Sequence, residues 1–451
     1  MSQTLIVAKF GGTSVADFDS MNCSADILLA DKNVRLIVLS ASAGITNLLI
    51  SLSEGQEQVQ RDYMLSEIRR VQYAIIERLL SSKNIQHKID NMLNNIIMLS
   101  NTAVLTKSCV LTDELISHGE LMSTMLFVEI LRERQINATW FDVRQVMRTT
   151  DRFGNAEPNI IELKRQANIL LQPLLQETLV VTQGFIGIES KGRTTTLGRG
   201  GSDYTAALLG EALQAIRVDI WTDVAGIYTT DPRIVPEAKL IEEMTFNEAA
   251  EMANFGAKVL HPAALLPAVR SAIPVFVGSG KNLNSGGTRV CNIIKNPPLF
   301  RALTLRRGQV LVTLHSLNMM DTQSFLARIF NILAQHNISV DLITTCDMSV
   351  ALTLDATYST CSGKKLLSKV LLNDLSLLCR IEIEENLALV AIIGNNLSKA
   401  CGVGKIVFDA LDSFNFRMIC YGASNYNLCI LVSTDSAEEV VRSLHKKLFG
   451  S

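Results

Sequence analysis

Glycines beside charged side chains mark two stretches where this chain could hold a small anionic ligand. In the first, Gly192-Arg193-Thr194-Thr195-Thr196-Leu197-Gly198-Arg199-Gly200-Gly201-Ser202-Asp203, glycine alternates with a guanidinium, a hydroxyl and a carboxylate. An apolar run, Leu179 to Phe185, precedes it and reads as a buried strand; Tyr204-Thr205-Ala206-Ala207-Leu208-Leu209 follows and reads as a helix. A strand, a glycine turn and a helix N-terminus together make an anion cradle, because the first N–H groups of a helix have no intrahelical partner and glycine lets them approach the ligand. The competing reading is a βα turn capped by Ser202 or Asp203. On this turn alone the capped turn is favoured, since the spacing matches neither G-x-x-x-x-G-K-[ST] nor G-x-G-x-x-G.

The second stretch is Lys9-Phe10-Gly11-Gly12-Thr13-Ser14-Val15, at the end of the apolar strand Leu5 to Phe10. A lysine there can snorkel to water, but the adjoining Gly-Gly opens backbone beside a point charge and favours a ligand contact. Arg35 to Ser40 is another buried strand, and Ala41-Ser42-Ala43-Gly44-Ile45-Thr46 places small residues at its C-terminal end, where ligands of open α/β sheets collect. Glu120 falls in the helical run Leu111 to Leu131 among apolar neighbours; a functional carboxylate and a solvated one are equally compatible with that spacing, while His118 reads as structural. Further strands are expected at Ala138 to Asp142, Arg217 to Asp223 and Pro274 to Gly278, with an amphipathic helix at Asp17 to Ala30 and a long helical stretch from Ser53 to Ser100. Strands alternate with helices through residues 1–290, which predicts a mostly parallel sheet covered on both faces.

The 451 residues provide for several domains with ample core, and the net charge of −2, with no basic block, argues against nucleic acid or an anionic membrane as the main partner. Nine scattered cysteines without C-x-x-C read as free thiols of a reducing compartment, and no zinc pattern or membrane-length apolar run is present. A cytoplasmic protein is expected. Lys281 to Pro298, rich in Asn, Gly, Ser and Pro, reads as a linker. Beyond it the chain repeats: Phe330-Asn331-Ile332-Leu333 matches Phe408-Asp409-Ala410-Leu411 at an offset of 408 − 330 = 78, and Val350-Ala351-Leu352 falls on Leu428-Cys429-Ile430 at the same offset. Two copies of a small βαβ-type unit are expected to bury their faces together.

With Lys9 to Val15 and Thr194 to Asp203 both in place, the chain resembles the aspartate kinases from end to end, most closely the monofunctional lysine-sensitive type. The resemblance implies an amino-acid kinase fold, a three-layer αβα sandwich on a mainly parallel sheet, followed by two ACT-type α+β modules. The expected domains are a catalytic domain at 1–290, a linker and shared strand at 291–314, a first ACT domain at 315–386 and a second at 387–451, the first inserted within the second. It implies transfer of the γ-phosphoryl group of ATP to the side-chain carboxylate of L-aspartate, with Mg²⁺ arriving on ATP, and feedback by L-lysine. It implies no nucleic-acid or membrane partner, a homodimer, and a tetramer as the inhibited form. By family pattern Lys9 and Asp203 are catalytic. Ser40, Thr46, Glu120, Arg199 and Ser202 bind aspartate, with Arg199 on its α-carboxylate and Glu120 on its ammonium. Lys9, Gly11, Gly12, Gly200, Gly201, Thr222, Asp223, Tyr228, Arg233, Lys258 and Val259 bind ATP. Ser316, Met319, Ser324, Phe325, Leu326, Ser339, Val340, Asp341, Cys346 and Asp347 occupy effector positions. The pattern differs from the family's at Cys346-Asp347, where Ser-Glu is expected, and at Asp321-Thr322-Gln323. A kinase-silent amino-acid sensor and a kinase for another carboxylate, carbamate or nucleotide remain the alternatives.

Overall fold

Alternation along one short strand sets the geometry of the catalytic part. In the computed structural model, which describes residues 4–257, 259–316, 322–346, 349–355 and 367–450, β1 is Ile6–Phe10. Successive strand residues face opposite sides of a sheet. Ile6, Ala8 and Phe10 join a core that includes Met21 and Ala25 of helix Phe18–Leu29 and Leu115 and Phe127 of helix Cys109–Glu133. Lys9 faces the other way and reaches the first turn of helix Gly201–Ala212, which packs on the opposite face.

The chain forms two compact units: Met1–Ile227, Leu240–Ala249 and Lys258–Lys295 make the first, and Tyr228–Lys239, Ala250–Ala257 and Asn296–Ser451 the second. In the first unit β1 is joined by β2 (Val34–Leu39), β3 (Ala138–Phe141), β4 (Leu179–Gln183), β7 (Arg217–Thr222), β8 (Glu243–Thr245), β9 (Val275–Ser279) and β10 (Gly287–Cys291). The order is β3-β4-β2-β1-β7-β9-β10-β8. The six strands from β3 to β9 run parallel, and β10 lies antiparallel to β9. A separate two-stranded ribbon, β5 (Ile186–Ile188) and β6 (Thr194–Thr196), lies between β4 and the glycine turn, so the turn does not follow directly from the buried strand Leu179 to Phe185.

Two other expectations change. Lys281 to Pro298 is not all linker: Thr288 and Val290 alternate inward and are fully buried, which makes Gly287–Cys291 a strand of the main sheet despite its composition. The stretch from Ser53 to Ser100 is two helices, Gln58–Ile76 and Lys83–Leu105, separated at Leu80-Ser81-Ser82, and Ile68, Ile75 and Leu79 are buried.

The second unit is a six-stranded antiparallel sheet ordered β12-β13-β11-β14-β16-β15, built from β11 (Phe300–Ser316), β12 (Ile343–Cys346), β13 (Ser349–Asp355), β14 (Cys379–Gly394), β15 (Phe416–Tyr421) and β16 (Asn427–Ser433). β13 and β16 stand at the repeat offset at both ends (427 − 349 = 78; 433 − 355 = 78). Each module uses one half of both long strands. The C-terminal half of β11 pairs with β13 and with the start of β14, while its N-terminal half pairs with the end of β14, which in turn pairs with β16. Strand Leu303 to Leu314 is therefore shared, and the boundaries at 314/315 and 386/387 both fall inside strands. Each half has its own core, one around Phe325, Ile329 and Leu352, the other around Val407, Ile430 and Val441.

Candidate active site

The C-terminal ends of β1 and β2 bring the two glycine stretches and the buried glutamate onto one frame. Lys9 is 8% exposed, and its Nζ lies 2.6 Å from Asp203 Oδ1. Gly11 N donates to Trp221 O at the end of β7 (3.0 Å), and a Cβ on Gly11 would sit 3.7 Å from Lys9 Nζ. Gly12 passes so close to the β2 loop that a Cβ would lie 2.7 Å from Ala41 O, and Ala43 N donates to Gly12 O at 3.0 Å. Gly12 is thus a close-approach position against the β2 loop, whereas a Cβ on Gly11 would make only ordinary contact.

The 198–203 turn is built differently from a side-chain-capped one. Gly200 is itself the N-cap of helix Gly201–Ala212, in the left-handed region (φ 72°), and among the described residues no side chain caps that helix. Any larger residue at 200 would be strained and would drive its Cβ into the His261 ring, 2.5 Å from its Cβ. Ser202 packs against Gly184, Asp203 is spent on Lys9, and Arg199 stays exposed. The first turn of that helix therefore keeps backbone N–H groups that no side chain caps. Burial and the nearby Arg199 push the His261 imidazole below its ordinary pKa, which keeps it a neutral acceptor for Ala263 N (3.3 Å).

Glu120 is 3% exposed on helix Cys109–Glu133, so the solvated alternative falls. Its Oε1 accepts from Ala41 N at 3.1 Å; its Oε2 is buried and unpartnered among the described residues, as is Ser42 Oγ on the same loop. Burial raises the carboxyl pKa to about 8 against backbone donors from Ala41 and from its own main chain. Ser40 and Thr46, on the loop after β2 and the helix Ile45–Ser53, are half-buried; Ser123 Oγ donates to Ser40 O at 2.8 Å and ties that loop to the Glu120 helix. His118 is buried, pairs with Glu114 O and is held neutral by desolvation, as a structural histidine.

Sequence reasoning passes over Asp113, seven residues before Glu120 and so on the same helix face (120 − 113 = 7). Its carboxylate accepts from Thr196 N (2.8 Å), Thr196 Oγ1 (3.0 Å) and Gly154 N (2.9 Å), and fixes the ribbon that feeds the glycine turn. Asp113→Ala leaves those buried donors unmatched and is expected to cost about 2–4 kcal/mol of stability. Urea denaturation reads this directly; an unchanged midpoint would remove Asp113 from the role.

Thr222, at the end of β7, donates to Asp223 Oδ1 (3.1 Å) while its carbonyl accepts from Gly280 N (2.7 Å). Val259 is half-buried; Lys258 lies outside the described residues. Tyr228 and Arg233 sit on Tyr228–Lys239, a segment of the second unit, where Arg233 pairs with Asp231 at 2.6 Å. Among the described residues no group of three or more His, Cys, Asp or Glu could hold a metal ion.

The amino acid kinase family pattern matches residues 4–279, and an ACT domain pattern matches 390–448. Lysine-sensitive aspartokinase 3 of Escherichia coli is 67% identical over 99% of both chains. The chain belongs to the aspartokinases. The chloroplastic aspartokinase 2 of Arabidopsis thaliana is 32% identical over 98% of this chain and 84% of its own. The solved E. coli aspartokinase III in complex with aspartate and ADP superimposes with a TM-score of 0.91 at 67% identity, covering 99% of this chain and all of that one. The same enzyme in complex with lysine and aspartate gives 0.85 at 66% identity and the same coverage.

In this aspartokinase the residues expected to take an effector lie in the half of the second unit built around Phe325, Ile329 and Leu352. Phe325 is buried and Leu326 half-buried in its core, while Ser324, Ser339, Asp341 and Cys346 are exposed, and Ser316 and Val340 are half-buried. β12 is an edge strand whose four residues are all exposed. Asp341 already pairs with Arg306. Met319 and Asp347 lie outside the described residues.

Proposed function

We propose that this chain transfers the γ-phosphoryl group of MgATP to the side-chain carboxylate of L-aspartate, forming 4-phospho-L-aspartate and ADP, under feedback by L-lysine at the ACT modules. The observation that carries this reading is the Lys9–Asp203 pair at 2.6 Å, set between two close-packed glycine turns at the C-terminal end of β1. A carboxylate oxygen attacks the γ-phosphorus and the bond to the β–γ bridging oxygen breaks. The nucleophile is already ionised at neutral pH, so no general base is required, and the work reduces to alignment and charge neutralisation. Lys9 supplies the charge at the moving phosphoryl group, with Asp203 fixing its position. Gly11, Gly12, Gly200 and Gly201 supply close backbone, and the uncapped helix start at Gly201 supplies N–H groups. Bound with ATP, Mg²⁺ would lower the charge on the phosphates. Thr222, Asp223, Tyr228, Arg233, Lys258 and Val259 complete the nucleotide set. On the substrate side Arg199 holds the α-carboxylate, the unpartnered Glu120 oxygen takes the ammonium, and Ser40, Thr46 and Ser202 line the pocket.

No helix among the described residues is long and apolar enough to cross a membrane. The exposed edge strand β12 offers unpaired backbone to a second copy, which supports a homodimer with the effector positions at its interface. The test is ADP release with aspartate, glutamate and other acceptor acids, each with and without lysine, threonine and methionine. Turnover only with a different acid would replace aspartate, and no turnover with any would leave a sensor. Arg199→Ala is expected to raise the KM for aspartate about tenfold or more and leave that for ATP nearly unchanged, because a charge-assisted carboxylate contact is lost. An equal rise in both constants would move Arg199 to the phosphates.

A further inference from the structure

His261 caps one helix and backs the turn that starts another. Its Nδ1 accepts from Ala263 N at 3.3 Å, at the start of helix Pro262–Arg270. That helix packs on helix Gly201–Ala212, and Arg270 meets Glu211 at 2.7 Å near their other ends. At the near end the imidazole occupies the space that a side chain at 200 would need. A Cβ on Gly200 would lie 2.5 Å from His261 Cβ, 2.6 Å from Cγ and 3.2 Å from Nδ1. Gly200 has no side chain with which to fix its own left-handed backbone, so the ring is what bounds the turn on that side.

Arg199 immediately precedes that glycine. It is exposed, and with His261, Tyr204 and Ala263 it lines a cavity of about 470 Å³ beside the turn. Burial and then Arg199 hold the imidazole below its ordinary pKa, while Asp203 pulls the other way, so both groups stand within electrostatic reach of the ring. The helix start is tied down separately: Thr205 Oγ1 donates to Gly201 O at 2.8 Å and accepts from Phe185 N at 3.0 Å. The ring therefore bears on the part of the turn that carries Arg199.

We propose that His261 is a positioning residue of the aspartate subsite: its ring backs Gly200 and fills one side of the cavity, so that Arg199 is aimed at the α-carboxylate of the substrate. This rests on the reading of Arg199 given above. A long side chain beside open space must give up rotamer freedom to hold a ligand. With a smaller residue at 261 the cavity widens, Gly200 relaxes toward the vacated space, and the guanidinium falls back. The Lys9–Asp203 pair is made directly and not through His261, so the loss falls on aspartate binding and not on phosphoryl transfer. Capping is a second role of the same side chain, and the two are separable. Asparagine keeps a cap acceptor without the ring, and phenylalanine keeps a ring without the acceptor.

His261→Asn, His261→Phe and Arg199→Ala are assayed below the lowest of their melting temperatures for kcat and both Michaelis constants. His261→Asn is expected to raise the KM for aspartate about tenfold, on the scale of one weakened hydrogen bond to a charged group, with kcat and the KM for ATP within about threefold of the parent. His261→Phe is expected to keep a near-parental KM for aspartate and to melt lower for want of its cap. A parental KM for aspartate in folded His261→Asn, or an equal rise in His261→Phe, overturns the proposal; a raised KM in Arg199→Ala then leaves the subsite itself standing. An equal rise in both Michaelis constants of His261→Asn means that the whole turn has moved, and overturns it too. If Arg199→Ala leaves the KM for aspartate unchanged, the subsite reading falls and takes the proposal with it. Should His261→Asn fail to fold, Gly200→Ala and Gly200→Ala/His261→Ala replace it. Removing the ring relieves the clash at the new Cβ, so the double variant is expected to have the lower KM for aspartate of the two, and an equal or higher one overturns the proposal.

Discussion

Lys9→Ala is expected to lower kcat by more than about 10²-fold, roughly 3 kcal/mol of transition-state stabilisation, with a much smaller effect on the KM for aspartate. Lys9 is 8% exposed and already faces Asp203 at 2.6 Å, so the charge is placed before any substrate arrives and costs no reorganisation when the phosphoryl group moves. Its low exposure also means weak solvent screening, which strengthens its pull on a dispersed phosphoryl charge. The substitution leaves the Asp203 carboxylate without its cation, which destabilises the folded protein on its own account. Lys9→Ala/Asp203→Asn removes both charges and separates the two effects: it should recover most of the melting temperature and none of the turnover. Near-parental kcat in either folded variant would take Lys9 out of the chemistry.

The parts of this site that could be read from the sequence are those whose chemistry is local. A lysine at a strand end beside Gly11-Gly12 and a run of glycines around Arg199 are unusual within a window of a dozen residues, and the structure joins them through a single ion pair. What could not be read depends on partners distant in sequence. The capped-turn reading fails because Asp203 is committed to a lysine nearly two hundred residues earlier, and Gly200 takes the cap position. Glu120 could not be decided on helical spacing, because its burial comes from the packing of Gly119 on Ala41, where a Cβ would lie 2.7 Å from the Ala41 Cβ. Asp113 holds Thr196 and Gly154, neither of which marks it locally. The shared strand was legible, but the bulge that β11 makes between Arg307 and Gln309 was not, because it depends on the pairing with β14. Composition misled at Gly287–Cys291, where period-two burial outweighs a linker-like neighbourhood. Nothing local signals that 228–239 and 250–257 belong with the second unit.

Aspartate binding is expected to release a proton at neutral pH, and the KM for aspartate to fall about tenfold per unit as pH rises from 6 toward 8, then level off. The cause is Glu120. Burial holds its carboxyl at about 8, so it is mostly protonated at pH 7 in the free protein. An ammonium at the unpartnered Oε2 stabilises the ionised form, and binding must therefore displace the proton. Glu120→Gln cannot ionise: it should raise the KM for aspartate, leave that for ATP nearly unchanged and flatten the pH profile. The same shift fixes the sign of the stability effect. The folded pKa lies above the ordinary value of 4.5, so the neutral carboxyl favours the folded state below about 4.5, and this advantage is lost as pH rises through about 8. Without substrate, Glu120→Gln should thus melt higher than the parent at pH 8, and the gap should close near pH 4.5. Loss of affinity with a gain in substrate-free stability distinguishes a binding carboxylate from a structural one, whose removal would lower both. A pH-independent KM in the parent, or a Glu120→Gln variant that melts lower at pH 8, would contradict this assignment.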